Sequence, residues 1–421
     1  MKNVYDIKCE KNLNYILPMN LRLEKCQLNV EEGETVIVVH LHYIDTLNHY
    51  LKYIDCIPEY IDVIFTVSDE KAEKALQETI LTKKNNCLII RKQNRGRDIS
   101  SLLVACREKI LKYKYVCFVH DKKPKNDFYK KDVDLWIQCL WENMLGSEEY
   151  IDNIRMILSK EKTLGILTAP TPLSDNFSIA YDNTWYGNFE LTKKLTEQMQ
   201  LDCNLDPKKA PITIGTVLWA KVEAIKKLLE IEWKYEDFDP EPLKNDGTIS
   251  HAIERVFAYV AQDAGFETGW VMTEKYASER FEYMQVVLKK AFDRLNKSLG
   301  IRSISELNSF ESRRQKLLSF CRMYEYIYIY GAGVYGRSCL ALMESEHQKL
   351  EAFIITNNEQ KNKQINSIPI YNVEQVMLNQ KCGVIVAANS INRSEILKEI
   401  KKRFPEFFNI YIYDTVSCEG E

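Results

Sequence analysis

The chain has 421 residues, 45% of them hydrophobic and 28% charged, with 15 glycines and 11 prolines; this is a folded composition that excludes a disordered or fibrous protein, and at roughly 150 residues per domain it excludes a single domain. A formal net charge of -3 gives no global attraction to nucleic acid or anionic membrane, and no nucleic-acid partner is expected. The 12 cysteines include no CxxC pair, residues 1–12 lack the apolar core of a signal peptide, and no apolar run approaches the roughly 18 residues of a membrane helix, so the expectation is a cytoplasmic chain with reduced thiols that spans no membrane.

Residues 1–33 read as an N-terminal extension. From residue 34 apolar runs alternate with helical patterns. A strand over 34–42 (ETVIVVHLH), a helix over 49–54, a strand over 60–68 (YIDVIFTVS) and a charged helix over 70–82 come first. A strand over 86–94 (NCLIIRKQN), a helix over 99–112 and a strand over 113–120 (YKYVCFVH) continue the rhythm. Strands that are apolar throughout and separated by helices predict a parallel sheet covered on both faces, with ligands beyond the carboxyl ends of the strands.

Helices over 135–144 and 150–159 precede a fifth strand, LGILTAP, ended by Pro170 and Pro172. A loop carrying Trp185, Tyr186 and Asn188 and a short helix lead to the strand-like segment 212–221 (ITIGTVLWAK). An acidic loop over 232–247 precedes a helix from about Thr248, and the domain is expected to close near residue 272. Residues 273–324, helical in period and rich in Lys, Arg and Glu, read as a helical connector. The alternation restarts over 325–421: a strand, glycine turn and helix (YIYIYGAGVYGRSCLALM), then EAFIITNN, IPIYN, a helix, GVIVAANS, a helix and NIYIYD. That run predicts a second, small Rossmann-like α/β domain.

The strand ends are polar: His40 and His42, residues 66–69, residues 93–98, and residues 120–123. Two histidines alternating on one strand point to opposite faces unless the strand ends between them. Asp121 is followed by Lys122, Lys123 and Lys125. A carboxylate there can hold a divalent ion that neutralises a diphosphate, whereas lysines can offset one as point charges. The expectation is therefore either Mg or Mn at Asp121 or a metal-independent site, with a solvated basic loop as the alternative.

Arg97 and Asp98 beside Gly96 suit a phosphate and a nucleotide, or Asp98 caps the helix that opens at Ile99. Asp246, before Gly247 at a loop-to-helix junction, is the candidate base for an acceptor hydroxyl, or a cap. His251 and Arg255 share one face of the following helix, where they can brace that base or reach the diphosphate. Trp185, Tyr186, Asn188 and Trp219 are candidates for sugar contact, with core packing as the alternative.

Residues 34–272 resemble the GT-A kind of nucleotide-sugar glycosyltransferase, NRGRD (94–98) standing for its Asn-x-Gly segment and FVHDKK (118–123) occupying the place of its Asp-x-Asp motif. More specifically, NRGRDISSLL, VHDKK, ITIGTVLWAK and NDGTISHAIERVFAYVA resemble, in that order, the rhamnan synthesis protein F family. The resemblance implies inverting transfer of L-rhamnose or a related hexose from a nucleotide-diphosphate donor, typically dTDP-linked, to a growing surface polysaccharide or lipid-linked glycan. It also implies a peripheral place at the inner membrane face beside other polysaccharide-assembly enzymes. On these positions Asp246 is the base; Asp69, Arg97, Asp98, His120, Asp121, Lys122, Lys123 and Arg255 surround the donor; Trp185, Asn188 and Trp219 face the acceptor.

The turn GAGVYG places Gly331, Gly333 and Gly336 in a dinucleotide-binding spacing between a strand and a helix. The next strand ends at Thr356, Asn357 and Asn358 in place of the acidic residue that grips a ribose, which argues against NAD(P). The segment resembles small Rossmann-like domains attached to bacterial surface-sugar enzymes. An NAD(P)-dependent sugar-nucleotide oxidoreductase or epimerase, and a non-catalytic assembly factor, are the rival readings.

Overall fold

A computed structural model describes residues 14–23, 33–79, 86–124, 130–172, 185–213, 215–244, 246–356 and 364–413. The chain forms two compact units, Met1–Met284 and Gln285–Glu421.

The first unit contains β1 (Asn14–Leu17), β2 (Thr35–Leu41), α1 (Leu47–Ile54), β3 (Asp62–Val67), α2 (Glu70–Thr79), β4 (Cys87–Arg91), α3 (Arg107–Ile110) and β5 (Tyr115–His120). It continues through α4 (Lys130–Leu145), α5 (Glu148–Lys160), β6 (Leu164–Thr168), α6 (Phe189–Gln198), β7 (Leu218–Lys221), α7 (Lys226–Leu229), α8 (Ile249–Asp263), β8 (Glu267–Thr273) and the start of α9 (Glu274–Leu299). The strands form one eight-stranded sheet in the order β1-β8-β6-β7-β5-β2-β3-β4.

Every residue of β2 is buried. Ile37, Val39 and Leu41 pack on one face with Tyr50 and Trp141, and Val36 and Val38 pack on the other with Ile99 and Phe257. Successive side chains alternate across a strand, so a strand buried on both faces must be apolar throughout. From β2 the chain steps outward to β3 and β4, and β5 then pairs on the opposite side of β2. The order therefore reverses between β2 and β5, and the crevice beyond their carboxyl ends is where such a sheet receives ligands.

The sheet departs from the all-parallel expectation at β7, which runs antiparallel to both β5 and β6. Among the described residues of the predicted segment 212–221, strand is confined to Leu218–Lys221, because Gly215 (φ 103) and Thr216 (φ 52) turn the chain just before it. Part of the expected N-terminal extension is β1, paired parallel with β8. The helix expected over 99–112 is a π-helical turn, Ser101–Ala105, followed by the short α3. Among the described residues no helix is long and apolar enough to cross a membrane.

The second unit contains α10 (Ile304–Arg322), β9 (Tyr326–Tyr330), α11 (Val334–Ser345), β10 (Ala352–Ile355), β11 (Gln364–Ile365), β12 (Ile368–Asn372), β13 (Cys382–Val386), α12 (Ser390–Arg403) and β14 (Ile410–Ile412). Its six-stranded sheet runs β11-β12-β10-β9-β13-β14, parallel apart from β11. Ser303 starts α10 by accepting the Glu306 N–H at 3.2 Å, a side-chain cap. In place of the helix expected after IPIYN stands one 3₁₀ turn, Val373–Gln375, and the chain then extends so that Val376 enters the core.

At the glycine turn, Gly331 has φ 114, and a Cβ on Gly336 would lie 1.8 Å from the Gly331 carbonyl oxygen. Gly333 faces open space, with nothing within 4 Å of a Cβ built there. Gly331 and Gly336 are thus demanded by the close approach of strand and helix. Thr356 pairs its hydroxyl with Tyr330 at 2.8 Å; Asn357, Asn358 and Asp414 lie outside the described residues. Gly336→Ala is expected to cost this unit about 2 kcal/mol. Hydrogen exchange should show faster opening of β9 and β10 and unchanged protection of β2 and β5; equal protection in both units would refute the packing account.

Candidate active site

The last residues of β5 and the turn after β2 meet at Asp121. Its N–H donates to the His40 carbonyl at 3.0 Å, and its carboxylate Oδ2 accepts the Tyr43 N–H at 2.6 Å. Burial raises the Asp121 carboxyl to about 6, against the lowering effect of the His42 and Tyr43 backbone N–H groups and of the His42 and Lys122 charges. Asp121 is 5% exposed, a costly position for a carboxylate without a covering ion pair. The two histidines do part company: His40 is buried, 3.0 Å from the Thr66 hydroxyl, while His42 lies past the strand, 3.0 Å from Ser68 Oγ.

Lys122 is clamped at its backbone by Tyr50, whose phenol donates to the Lys122 carbonyl and accepts its N–H, both at 3.1 Å. The ammonium sits 4.4 Å from the centre of the Trp136 ring. Burial lowers the Lys122 pKa, and Asp98 and Glu254 oppose the shift. A cation–π contact offsets about 1 to 2 kcal/mol at a half-buried position, whereas taking an ammonium fully out of water costs several. The site is therefore short of compensation for a positive charge. Lys123 lies at the surface, paired with Asp45, and Lys125 is outside the described residues.

His120, also buried, places Nε2 2.8 Å from the Gly215 carbonyl oxygen and 3.6 Å from Asp98 Oδ2. Burial lowers its pKa despite Asp98, and its other ring nitrogen, Nδ1, lies 3.0 Å from the Asp121 carbonyl oxygen. Burial would raise the Asp98 carboxyl, but His120, Lys122 and His40 outweigh it and hold the group below its ordinary value. Gly215 in turn donates its N–H to Glu254 Oε1 at 2.6 Å, and burial raises the Glu254 carboxyl. The Gly215 turn thus joins β5 to α8.

Past β4, the buried Lys92 ammonium donates to the Gln93 carbonyl at 2.9 Å and to Ser100 Oγ at 3.0 Å, and burial lowers its pKa to about 8. The loop that follows is pinned by Arg95, which donates to the carbonyls of Phe238 at 2.8 Å and Glu236 at 2.9 Å. Gly96 has φ 75, and a Cβ there would lie 2.6 Å from the Phe238 ring. Gly96→Ala is expected to cost about 2 kcal/mol and to displace Arg97 and Asp98. A lowered denaturation midpoint with an unchanged slope would register it; an unchanged midpoint would contradict it.

Arg97 (φ 47) is partly exposed, its Nε 3.9 Å from Glu241. The Asp98 carboxylate faces His120, and what reaches Ser101 N–H is the Asp98 backbone carbonyl, at 3.0 Å.

Several candidates are placed differently from the sequence expectation. Asp69 is a helix cap: its Oδ1 accepts the Ala72 N–H at 2.8 Å at the start of α2. Arg255 is 2% exposed and donates to the His251 carbonyl at 2.8 Å, within its own helix. Trp219 is fully buried and donates Nε1 to the Met144 carbonyl at 3.0 Å. Trp185 packs 6.3 Å from the Tyr259 ring centre and donates to the Asp206 carbonyl at 2.9 Å. Both tryptophans are core residues whose faces are covered, so neither presents a sugar platform. Tyr186, 62% exposed, does lie at the surface.

Asn188 and Asp246 form a latch between the start of α6 and the loop before α8. The buried Asn188 amide donates to Asp246 Oδ1, its Oδ1 accepts the Gly247 N–H at 3.0 Å, and Asp246 Oδ2 accepts the Gly187 N–H at 2.8 Å. Partial burial would raise the Asp246 carboxyl, but the Asn188, Gly187 and Gly247 hydrogen bonds hold it below its ordinary value. Thr248 occupies the cap position of α8 and its hydroxyl meets His251 Nδ1 at 2.7 Å. Asp246 is therefore fixed and ionised, and Asn188 is wholly engaged inside the protein.

Lys92, Tyr50 and Trp136 escaped the sequence reading. Lys92 directly follows β4, whose apolar run ends at Ile90, and so shares the strand-end position that picked out the other candidates; Tyr50 and Trp136 approach from helices distant in sequence and carry no such signal. Among the described residues no group of three His, Cys, Asp or Glu side chains is placed to hold a metal ion. Around Asp121, the Lys122 ammonium lies against the Trp136 ring with Asp98 and Glu254 acting on it, and the Lys123 ammonium is paired with Asp45.

The sequence is similar over 230 residues to the "Uncharacterized protein WxcX" of two strains of Xanthomonas campestris pv. campestris, with 26% identity in each case. The match covers 54% of this chain and 31% of each relative, so the chain spans about a third of the length of these curated relatives. The profile of the family described as "Rhamnan synthesis protein F" matches residues 1–266, including the segment that forms β1. The chain belongs to the rhamnan synthesis protein F family.

Proposed function

We propose that the first unit is a GT-A-like glycosyltransferase that moves L-rhamnose or a related hexose from a nucleotide-diphosphate donor to a growing surface polysaccharide or lipid-linked glycan, working at the inner membrane face beside other assembly enzymes. The observation that carries this reading is the under-compensated Lys122 ammonium next to Asp121, at the point where the strand order reverses. Family membership supports a role in rhamnan or polysaccharide synthesis.

In this reading Lys122, Lys123 and Arg97 offset the charge that grows on the diphosphate as the bond from the sugar carbon to the phosphate oxygen breaks and the nucleotide leaves with the electron pair. The acceptor oxygen forms the new bond to that carbon, and its proton passes to Asp246. The latch to Asn188 and Gly187 aims that carboxylate, and its depressed pKa keeps it ionised. Asp121 accepts a hydrogen bond from a donor hydroxyl. The lysines supply the cationic charge without a resident metal.

Asp246→Asn is expected to slow transfer on the order of 100-fold or more while donor affinity stays within a few fold. A rate within a few fold of wild type, at unchanged stability, would remove Asp246 from the role of base. Sugar release from dTDP-, UDP- and GDP-linked hexoses, assayed with manganese and with chelator, identifies the donor. Complete loss of transfer with chelator would overturn the metal-independent part.

A further inference from the structure

We propose that Trp136 is a positioning residue that holds the Lys122 ammonium in place to receive the donor diphosphate. The identity of the anion rests on the glycosyltransferase reading above; the positioning rests on geometry. Tyr50 fixes the Lys122 backbone from both sides, but the four-carbon side chain beyond it is flexible. Among the described residues the ammonium makes no ion pair and no hydrogen bond; what lies against it is the Trp136 ring, 4.4 Å away.

A carboxylate in that position would also fix the ammonium, but it would cancel the charge and compete with an incoming phosphate. An aromatic face attracts the cation and leaves its N–H donors available. Trp136 is itself well seated. It lies on α4 against the main core, and its indole atoms come within 3.7 Å of where a Cβ on Gly215 would stand. The Gly215 carbonyl is the partner of His120, and its N–H is held by Glu254. The ring is thereby tied to the same turn that joins β5 to α8, and the ammonium to the ring.

The test measures the affinity of the full chain for inorganic pyrophosphate, and separately for UDP and uridine, by calorimetry. Wild type, Lys122→Met, Trp136→Phe and Trp136→Leu are compared, with circular dichroism and melting temperature as folding controls. Trp136→Leu is expected to weaken pyrophosphate and UDP about 10-fold and to leave uridine unchanged, while Trp136→Phe, which keeps an aromatic face, stays within about threefold of wild type. In wild type, pyrophosphate is expected to change tryptophan fluorescence, and this change should be missing in Trp136→Phe.

If pyrophosphate binding depends on Lys122 but is the same in Trp136→Leu as in wild type, the positioning role is wrong and the glycosyltransferase reading stands. Equal losses in the Phe and Leu variants, in proportion to lost stability, would likewise reduce Trp136 to packing. If folded wild type binds neither pyrophosphate nor UDP, the positioning role fails together with the functional reading.

Discussion

Asp121→Asn is expected to make the folded protein more stable above pH 6 and at the same time to remove most of the proposed sugar transfer. Burial raises the Asp121 carboxyl from 3.8 to about 6. Between those values the folded state binds more protons than the unfolded state, so stability falls as pH rises through the window. The penalty is absent below about pH 4 and complete above about pH 6. A shift of about two units corresponds to about 3 kcal/mol, an upper figure for the gain. Asparagine can still accept the Tyr43 N–H but carries no charge. The variant should therefore melt higher than wild type at pH 8 and equally at pH 4, and its kcat/KM should fall about 10- to 100-fold, the cost of a charge-assisted hydrogen bond. Lower stability at pH 8 would mean that the carboxylate is a structural anchor.

The same group sets the expected pH profile. If transfer needs Asp121 ionised, kcat/KM declines below about pH 6. If only Asp246 must be ionised, activity persists into the more acidic range, because that carboxyl is held below its ordinary value. A single acid limb near pH 6 that disappears in Asp121→Asn assigns it.

Lys122→Met is expected to weaken nucleotide-diphosphate binding about 100-fold with little loss of stability. Lys122 is half-buried, and its charge is met by the Trp136 ring and by the more distant Asp98 and Glu254. Methionine retains the apolar stem and relieves the desolvation. The lowered pKa means that wild type gains stability as pH rises through the titration of Lys122, and the variant should not show that gain. Undiminished diphosphate binding in a folded Lys122→Met protein would place the anion elsewhere.

The centre of the first sheet was legible because the middles of β2, β3 and β5 are buried on both faces and therefore carry continuous apolar runs. β1 was not, since it is short and half-exposed with no continuous apolar run. The direction of β7 was also hidden: LWAK is buried in either orientation, and the reversal is made by the turn at Gly215 and Thr216. The polar residues at Asp98 and at 120–122 were readable as strand ends and are brought together. The aromatic candidates misled because Trp185 and Trp219 are large apolar side chains first, and burying them outweighs leaving a ring face open. Tyr50 and Trp136 reach the site only through tertiary packing of α1 and α4, which no local pattern records.

The central claim is that the crevice beyond β2 and β5 binds a sugar nucleotide. The most direct test is calorimetric titration of the full chain with dTDP-, UDP- and GDP-linked hexoses, in wild type and Lys122→Met. The account predicts saturable binding of at least one donor that is weakened at least 10-fold by the substitution. A folded wild-type protein that binds none of them, or one whose binding ignores Lys122, would contradict it and favour a non-catalytic role in polysaccharide assembly.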